Sequence, residues 1–499
     1  MAHKEVVIIG AGPAGLTAAY ELLKHGVPAT IVEADDVVGG LARTVNYKDY
    51  LFDIGGHRFF TRWNEVNQIW REILGDAFVL RERLSRIYYR NRFFAYPLKP
   101  LDALSGLGCR DAALILLSYF HAHLFPDSPE VNLAQWVTNR FGKRLYETFF
   151  KAYTEKVWGI PCTEIGAEWA AQRIKSLSLG SALYNAIRRP KDVRIKSLID
   201  RFHYPERGPG QMWETLAHTL RTNGCRILLA SPVVRVCHES RKVTHLVTSG
   251  GEAASRNLAG THFISSMPIR DLIEAMEPRP PEDIQRAGNS LHYRDFMIIS
   301  LIVNRKEVMP DNWIYVHDPG VRVGRIQNFK NWSAAMVPDP SKTCLGMEYF
   351  AFEKETFWGR SDQELIELAK DELAYLGLAR RDEIEDGAVV RMPKAYPIYN
   401  GGWAENVGKI RGYLETYMPN LQLVGRNGMH KYNNQDHSMM TALYGARNIL
   451  GANHDLWAVN TEPEYHEQKP AIDELETQGQ RVPFRTSPET TSSTGVCEP

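Results

Sequence analysis

Gly10, Gly12 and Gly15 form G-x-G-x-x-G between the β-rich run "VVIIG" and the helix-forming run "LTAAYELLKHG". That position constrains the chain strongly. The first glycine permits a turn, the second lets the backbone approach a pyrophosphate, and the third allows close helix–strand packing. A helix starting at Pro13 and Ala14 would aim its free N–H groups and positive dipole end at phosphate. Glu33 ends the next β-rich run, "ATIVEA", eighteen residues past Gly15, where a carboxylate can accept from ribose hydroxyls. The pattern predicts a Rossmann-like βαβ unit that binds a dinucleotide, with a purely structural turn as the alternative.

Two further glycine turns follow. "GGLARTV" carries Gly39, Gly40, Leu41, Ala42 and Arg43, and "FDIGGHRFF" carries Asp53, Gly55, Gly56 and His57. Such glycines let backbone approach a flat ring system, and Arg43 can neutralise phosphate. A nicotinamide-only domain has no evident need for them, which points to FAD. No Cys or His stands in a flavin-linking motif, so the attachment is expected to be non-covalent. There is no second G-x-G-x-x-G, so NAD(P)H, if it is the reductant, would dock transiently.

At 499 residues the chain exceeds one ordinary core. Its fold class is read as α/β, a discontinuous Rossmann-like FAD-binding domain with inserted helical and β-sheet segments. The expected FAD-binding pieces are 1–63, 205–290 and 410–455. Between them lie a mostly helical substrate or cap domain, 64–204, and a β-rich substrate domain, 291–409. The Ser-, Thr- and Pro-rich stretch 469–499 is expected to be a disordered tail. Zero formal net charge argues against a nucleic-acid partner. Six widely spaced cysteines without a CxxC pair suggest neither a metal site nor a disulfide framework. No apolar run is long enough to span a bilayer, and "MAHKEVVIIG" leaves no room for a signal peptide. A cytoplasmic protein is expected, acting on a small molecule; an oligomer is compatible with the sequence.

The stretch "GAGPAGLTAAYEL…IVEADDVVGGLART" resembles the FAD-binding start of the amine-oxidase and protoporphyrinogen-oxidase superfamily. Within it, "YTEKVWG" (Tyr153–Gly159) resembles bacterial UDP-galactopyranose mutases. Matching segments occur in the same order: "GGHRFFT", "RFFAYPL", "DRFHYPERGPGQMWETL", "GRIQNFKNW" and "GRNGMHKYNNQDHSMMTALYGARNI". In that family reduced flavin attacks the anomeric carbon of the sugar and expels UDP, and the ring recloses as a furanose with no net redox change. The resemblance implies that Trp158 lines the sugar pocket, that Arg325 binds the leaving diphosphate, and that Arg173 belongs to the catalytic set. It implies hydroxyl contacts from Tyr396 and Tyr432. It also implies cofactor contacts from Val233, Gly425, Arg426, Asn434, Asp436 and Ser438. Glu155 and Lys156 are adjacent, point to different helix faces, and read as structural; His430 and His437 are weaker flavin candidates.

One position departs from the family. Its two arginines four residues apart appear here as Arg173 and Leu177, and a neutral Leu cannot grip a phosphate. Lys175, Arg194 and Lys196 are the nearby cations. Three functions therefore stay open. The first is a mutase-like flavoenzyme acting on a sugar nucleotide or related glycosyl phosphate. The second is an FAD-dependent oxidoreductase of amine-oxidase, desaturase or protoporphyrinogen-oxidase type. The third is a non-catalytic flavin-fold protein.

Overall fold

The computed structural model describes residues 4–167 (apart from 97 and 99), 201–250 and 256–461. Arg173, Lys175, Leu177, Arg194, Lys196 and the tail 469–499 lie outside these residues. A five-stranded parallel sheet runs in the order Leu421–Leu423, His262–Ser265, Val6–Ile9, Ala29–Val32, Arg226–Leu228. All four residues of Val6–Ile9 are buried, as expected of a parallel strand covered on both faces. Helix Pro13–Lys24 packs against helices Gly210–Thr222 and Gln435–Leu450. Parallel pairing puts the carboxyl ends of the strands on one edge. Gly10, Glu33, Ser266 and Gly425 all lie just past those ends, where an open α/β sheet binds its ligand.

The second layer is a seven-stranded sheet ordered Ile384–Pro397, Tyr293–Val303, Thr343–Ala351, Arg325–Asn328, Trp313–Val316, Ser85–Tyr89, Arg92–Ala95. Its last two strands come from the region expected to be mostly helical. "SRIYYRNRFFA" makes a hairpin because Arg90 and Asn91 take φ of 48° and 59°, a two-residue turn with the twist that hairpins need. Strand Arg201–Pro205 pairs with Phe78–Glu82, also within that region. Among the described residues no helix is long and apolar enough to cross a membrane.

Register puts one row of polar side chains across the seven-stranded sheet. Tyr315 lies opposite Arg325, and Arg325 opposite Glu348. One pair along, Trp313 lies opposite Gln327. Because side chains alternate along a strand, all five project from one face.

Helix Ala152–Trp158 meets this face. It follows a π-helical turn at Tyr146–Lys151 and ends at Gly159, whose φ is 68°. A side chain on Gly159 would strike Arg294, with a Cβ 2.4 Å from the guanidinium. Arg294 is 4% exposed and donates to the carbonyls of Phe350 (2.9 Å) and Val157 (3.3 Å) and to Glu355 (3.0 Å). It thereby caps the helix end that carries Trp158. Lys156 donates to the carbonyls of Val316 and Val323, each at 3.4 Å, and of Asp318. The Glu155 carboxylate accepts from the Cys162 N–H at 3.2 Å. Both charged residues fasten this helix to its surroundings.

Asp53, fully buried, ties the glycine turn at Gly55 and Gly56 to strand Arg201–Pro205. It accepts from the Tyr204 hydroxyl and, at 2.8 Å, from Thr44 Oγ1, which accepts in turn from the Gly210 N–H at 3.0 Å. Burial pushes the Asp53 carboxyl up from 3.8 to about 7, against the pull of both hydroxyls. The folded state therefore holds a proton that the unfolded chain releases, and this contribution to stability falls as pH rises from 3.8 to about 7. Asp53→Asn keeps an acceptor and a donor in place without the charge. Thermal melts from pH 4 to pH 8 should show that fall in the wild type and a flatter profile in Asp53→Asn; parallel profiles would contradict the assignment.

Candidate active site

The glycine turn has the geometry its spacing predicts. Gly10 takes φ +99°, and a Cβ there would lie 2.2 Å from Ser266 Oγ. A Cβ on Gly15 would lie 1.8 Å from the Gly10 carbonyl oxygen, so Gly15 is needed for packing. Gly12 differs. Its nearest neighbour would be Gly40 Cα at 3.8 Å, and a Cβ on Gly40 would lie 3.3 Å from Gly12 Cα. The two glycines face each other across a gap that side chains would fill.

Pro13 starts the helix, and no side chain caps its N-terminus, which leaves that end to a ligand. The Gly39 N–H donates to the Ala11 carbonyl at 2.9 Å, joining the two turns. Glu33 accepts from the N–H groups of Ala11 (2.6 Å) and Asp35 (3.0 Å). Burial raises its carboxyl, and those N–H groups oppose the shift. A carboxylate with about four acceptor sites keeps capacity for ribose hydroxyls.

Several other candidates join this turn. Gly425, at φ +82°, approaches Ala14, whose Cβ is 3.1 Å from where a Gly425 side chain would begin. Val233 begins a strand two residues past Ser231, whose N–H donates to the Glu33 carbonyl at 2.8 Å. Arg43, at the end of the Gly40–Ala42 turn, forms an ion pair with Asp35, so its charge is shared with a carboxylate as well as any phosphate. Asn434, Asp436 and Ser438 open helix Gln435–Leu450. His437 is part of that cap: its Nδ1 accepts from the Asn434 N–H at 3.2 Å. His430 is buried, 3.3 Å from the Ile398 carbonyl oxygen and packed edge-on to Tyr293, a structural position. These glycines, the uncapped helix end and Glu33 fit a dinucleotide, and the second turn fits the wider flavin dinucleotide.

Four of the catalytic candidates, Trp158, Arg325, Tyr396 and Tyr432, come together where the glycine turns meet the seven-stranded sheet, while Arg173 lies outside the described residues. Tyr396 and Tyr432 stack at 5.6 Å and 20°, and Trp158 lies 6.2 Å from Tyr432, tilted by 52°. The Arg426 guanidinium sits 4.9 Å from the Tyr432 ring and 5.4 Å from Tyr396. Arg325 Nη2 lies 3.4 Å from the Tyr396 hydroxyl. Burial pushes that hydroxyl up to about 12, so it stays protonated at neutral pH. His57 bonds the Ile54 carbonyl at 2.9 Å. Burial, then the Arg426 and Arg325 charges, lower it to about 4 against the pull of its backbone bonds, leaving it neutral.

Sequence reading missed Glu348. It is fully buried; its Oε2 meets Arg325 Nε at 2.5 Å, and its Oε1 accepts from Gln327 Nε2 at 2.7 Å. The Arg325 contact is one of charges, without the alignment of a hydrogen bond. Gln327 Nε2 lies 2.9 Å from where a Gly56 Cβ would stand. A lone acid inside the apolar run "CLGMEYF" was the available signal.

Gly12→Ala and Gly15→Ala should separate cofactor binding from folding. Gly15→Ala should cost at least about 2 kcal/mol, because its Cβ meets backbone. Gly12→Ala should leave the cofactor-free melting temperature near wild type and strip bound dinucleotide. Absorbance of the released cofactor and thermal melts of both variants check this; full cofactor content in Gly12→Ala would contradict it.

Residues 8–73 match the NAD(P)-binding Rossmann-like domain. A probable UDP-galactopyranose mutase from Klebsiella pneumoniae is 30% identical over 186 residues, 34% of this chain and 44% of that protein. The match thus spans less than half of that relative's length. A solved structure of reduced UDP-galactopyranose mutase matches with a TM-score of 0.79 at 22% identity, covering 92% of this chain and 98% of the other. A putative protoporphyrinogen oxidase from an Exiguobacterium species matches with a TM-score of 0.68 at 17% identity, covering 90% and 99%. The chain carries an NAD(P)-binding Rossmann-like domain within the fold that UDP-galactopyranose mutase and protoporphyrinogen-oxidase-like proteins share.

Proposed function

We propose that the chain is an FAD-dependent enzyme acting on a sugar nucleotide or related glycosyl phosphate, with FAD held non-covalently and used in its reduced form. NAD(P)H docking transiently is the proposed reductant. The observation that carries this reading is Arg325, held by buried Glu348 beside Trp158, Tyr396 and Tyr432 and next to the His57 turn. Apolar or amine substrates give no reason to place a guanidinium there; a phosphorylated leaving group does.

FAD, when bound, supplies a ring system that can act as nucleophile or as electron carrier. The chain's own residues bind and orient. Gly12 and the uncapped helix end would receive the pyrophosphate, with Glu33 at the ribose. Arg325 would present its Nη groups to the substrate diphosphate while Glu348 holds Nε. Tyr396, protonated at neutral pH, would donate a hydrogen bond to the same anion. Trp158 and Tyr432 would exclude water and pack against the sugar. Neutral His57 adds no charge beside the flavin.

Net oxidation of an amine or apolar substrate is the second reading. Leu177 favours it, because the family's second phosphate-binding arginine is absent there.

Arg325→Ala should weaken UDP binding by roughly tenfold or more, the worth of a charge-assisted hydrogen bond. Arg325→Lys should recover only part, since an ammonium cannot replace a planar fork. Calorimetric titration of oxidised and reduced holoenzyme with UDP measures both. Unchanged UDP affinity in Arg325→Ala would sink the sugar-nucleotide reading.

A further inference from the structure

Helix Cys109–Leu124 is no part of the candidate site, yet its surface departs from that of an ordinary exposed helix. Ala112, Ala113, Leu114, Leu116 and Leu117 favour the helical backbone. Ile115, Tyr119 and Ala122 are buried against the rest of the molecule. That inward side is closely covered: a Cβ on Gly142, at φ +82°, would lie 2.7 Å from the Tyr119 backbone nitrogen. Positions 110, 114, 117, 121 and 124 follow at intervals of three and four, and form one outward line. Leu114, Leu117 and Leu124 on that line, with Phe120 and Phe125 beside it, are each between 40% and 73% exposed. A helix that is apolar on both sides is one whose outer side is also covered. Single exposed apolar residues need no explanation, but a contiguous row of large ones marks an interaction surface.

Charge selects the partner. Arg110 opens the line, and the next residue, Asp111, accepts from Arg144 at 2.9 Å and lies 4.0 Å from Arg90. Two guanidiniums thus meet one carboxylate at the end of the helix that also carries Arg110. Among the described residues from 90 to 151, the exposed cations are Arg90, Arg92, Arg110, Lys143, Arg144 and Lys151, against the exposed acids Asp127 and Glu147. The face is therefore net positive. A second copy laid on it would bring like charges together, because the same face would meet itself. An anionic surface would not. At 1.5 Å per residue the helix is about 24 Å long, too short to cross a bilayer. It is suited to lie along one, with apolar side chains at the acyl boundary and cations at the phosphates.

We infer that helix Cys109–Leu124 is a docking surface for an anionic lipid bilayer. Leu117, Leu124 and Phe125 enter the acyl boundary, and Arg110, Lys143 and Arg144 meet the headgroup phosphates. The helix lies in the plane of the bilayer and does not cross it. Binding is reversible and salt-sensitive, because it needs both the apolar line and the cationic end. The active site and its substrate play no part in it.

The test pellets full-length protein with vesicles of phosphatidylcholine alone and of phosphatidylcholine mixed with phosphatidylglycerol. The wild type should bind the mixed vesicles roughly tenfold or more tightly, and added salt should reduce that preference. Arg110→Glu combined with Lys143→Glu should abolish the preference. Leu117→Ser combined with Leu124→Ser should weaken binding to the mixed vesicles roughly tenfold or more, through lost apolar burial. All four positions are exposed, so both variants should melt as the wild type does. A wild type that does not bind the mixed vesicles, or binds both kinds equally, would overturn the inference. So would a wild type that ignores vesicles and forms a dimer which the serine variant dissociates; the face would then belong to a second copy. If the serine variant fails to fold, the charge variant decides, since it leaves the apolar line intact. Its loss of preference at an unchanged melting temperature supports the inference, and a retained preference overturns it.

Discussion

The buried carboxylate of Glu348 is the constraint on which the candidate site depends. A fully buried charge survives only if it is paired, and Glu348 is paired on both oxygens, with Arg325 on one and Gln327 on the other. The first contact fixes Arg325 beside Tyr396. The second holds the Gln327 amide against Gly56, beside His57. One carboxylate thus couples Arg325 to the glycine turn at Gly56. Removing a partner from such a pair typically costs about 3–5 kcal/mol, because an uncompensated charge is left behind. Arg325 therefore has little freedom to drift from the Gly56–His57 turn.

Around that pair, the two sheets divide the work. The parallel sheet gathers Gly10, Glu33, Ser266 and Gly425 at one edge by topology alone. The mixed sheet supplies a flat face whose register sets Tyr315, Arg325 and Glu348 in a row. Helix Ala152–Trp158 is brought to that face by Lys156, which satisfies carbonyls of the loop around Asp318, and by Arg294, which caps its end. The mixture of acid, base and aromatic residues in "AYTEKVW" follows from this: the charges fasten the helix and Trp158 stands beside Tyr432.

The dinucleotide turn was legible in the sequence because its constraints are local. Three glycines, a strand before them, a helix after them and an acid at the next strand end all lie within 33 residues. That Trp158, Arg325, Tyr396 and Tyr432 gather in one place was legible through resemblance to a known family. Glu348 was not, since its pairing with Arg325 depends on cross-strand register between residues 23 apart. Arg294 was hidden for the same reason, its target being a helix end more than a hundred residues earlier. Hairpin Ser85–Ala95 was misread because aromatic and basic residues dominate it, and its turn uses Arg-Asn where Asn-Gly is the usual signal.

We propose that the chain uses reduced FAD to rearrange a glycosyl phosphate without net redox change. The most direct measurement follows reductant consumption while dithionite-reduced holoenzyme turns over candidate nucleotide sugars under anaerobic conditions. The account predicts many turnovers per flavin with no further reductant or acceptor consumed, and no turnover by the oxidised enzyme. Turnover by the oxidised enzyme, with one equivalent of oxygen or acceptor consumed per product, would contradict it and establish an oxidoreductase.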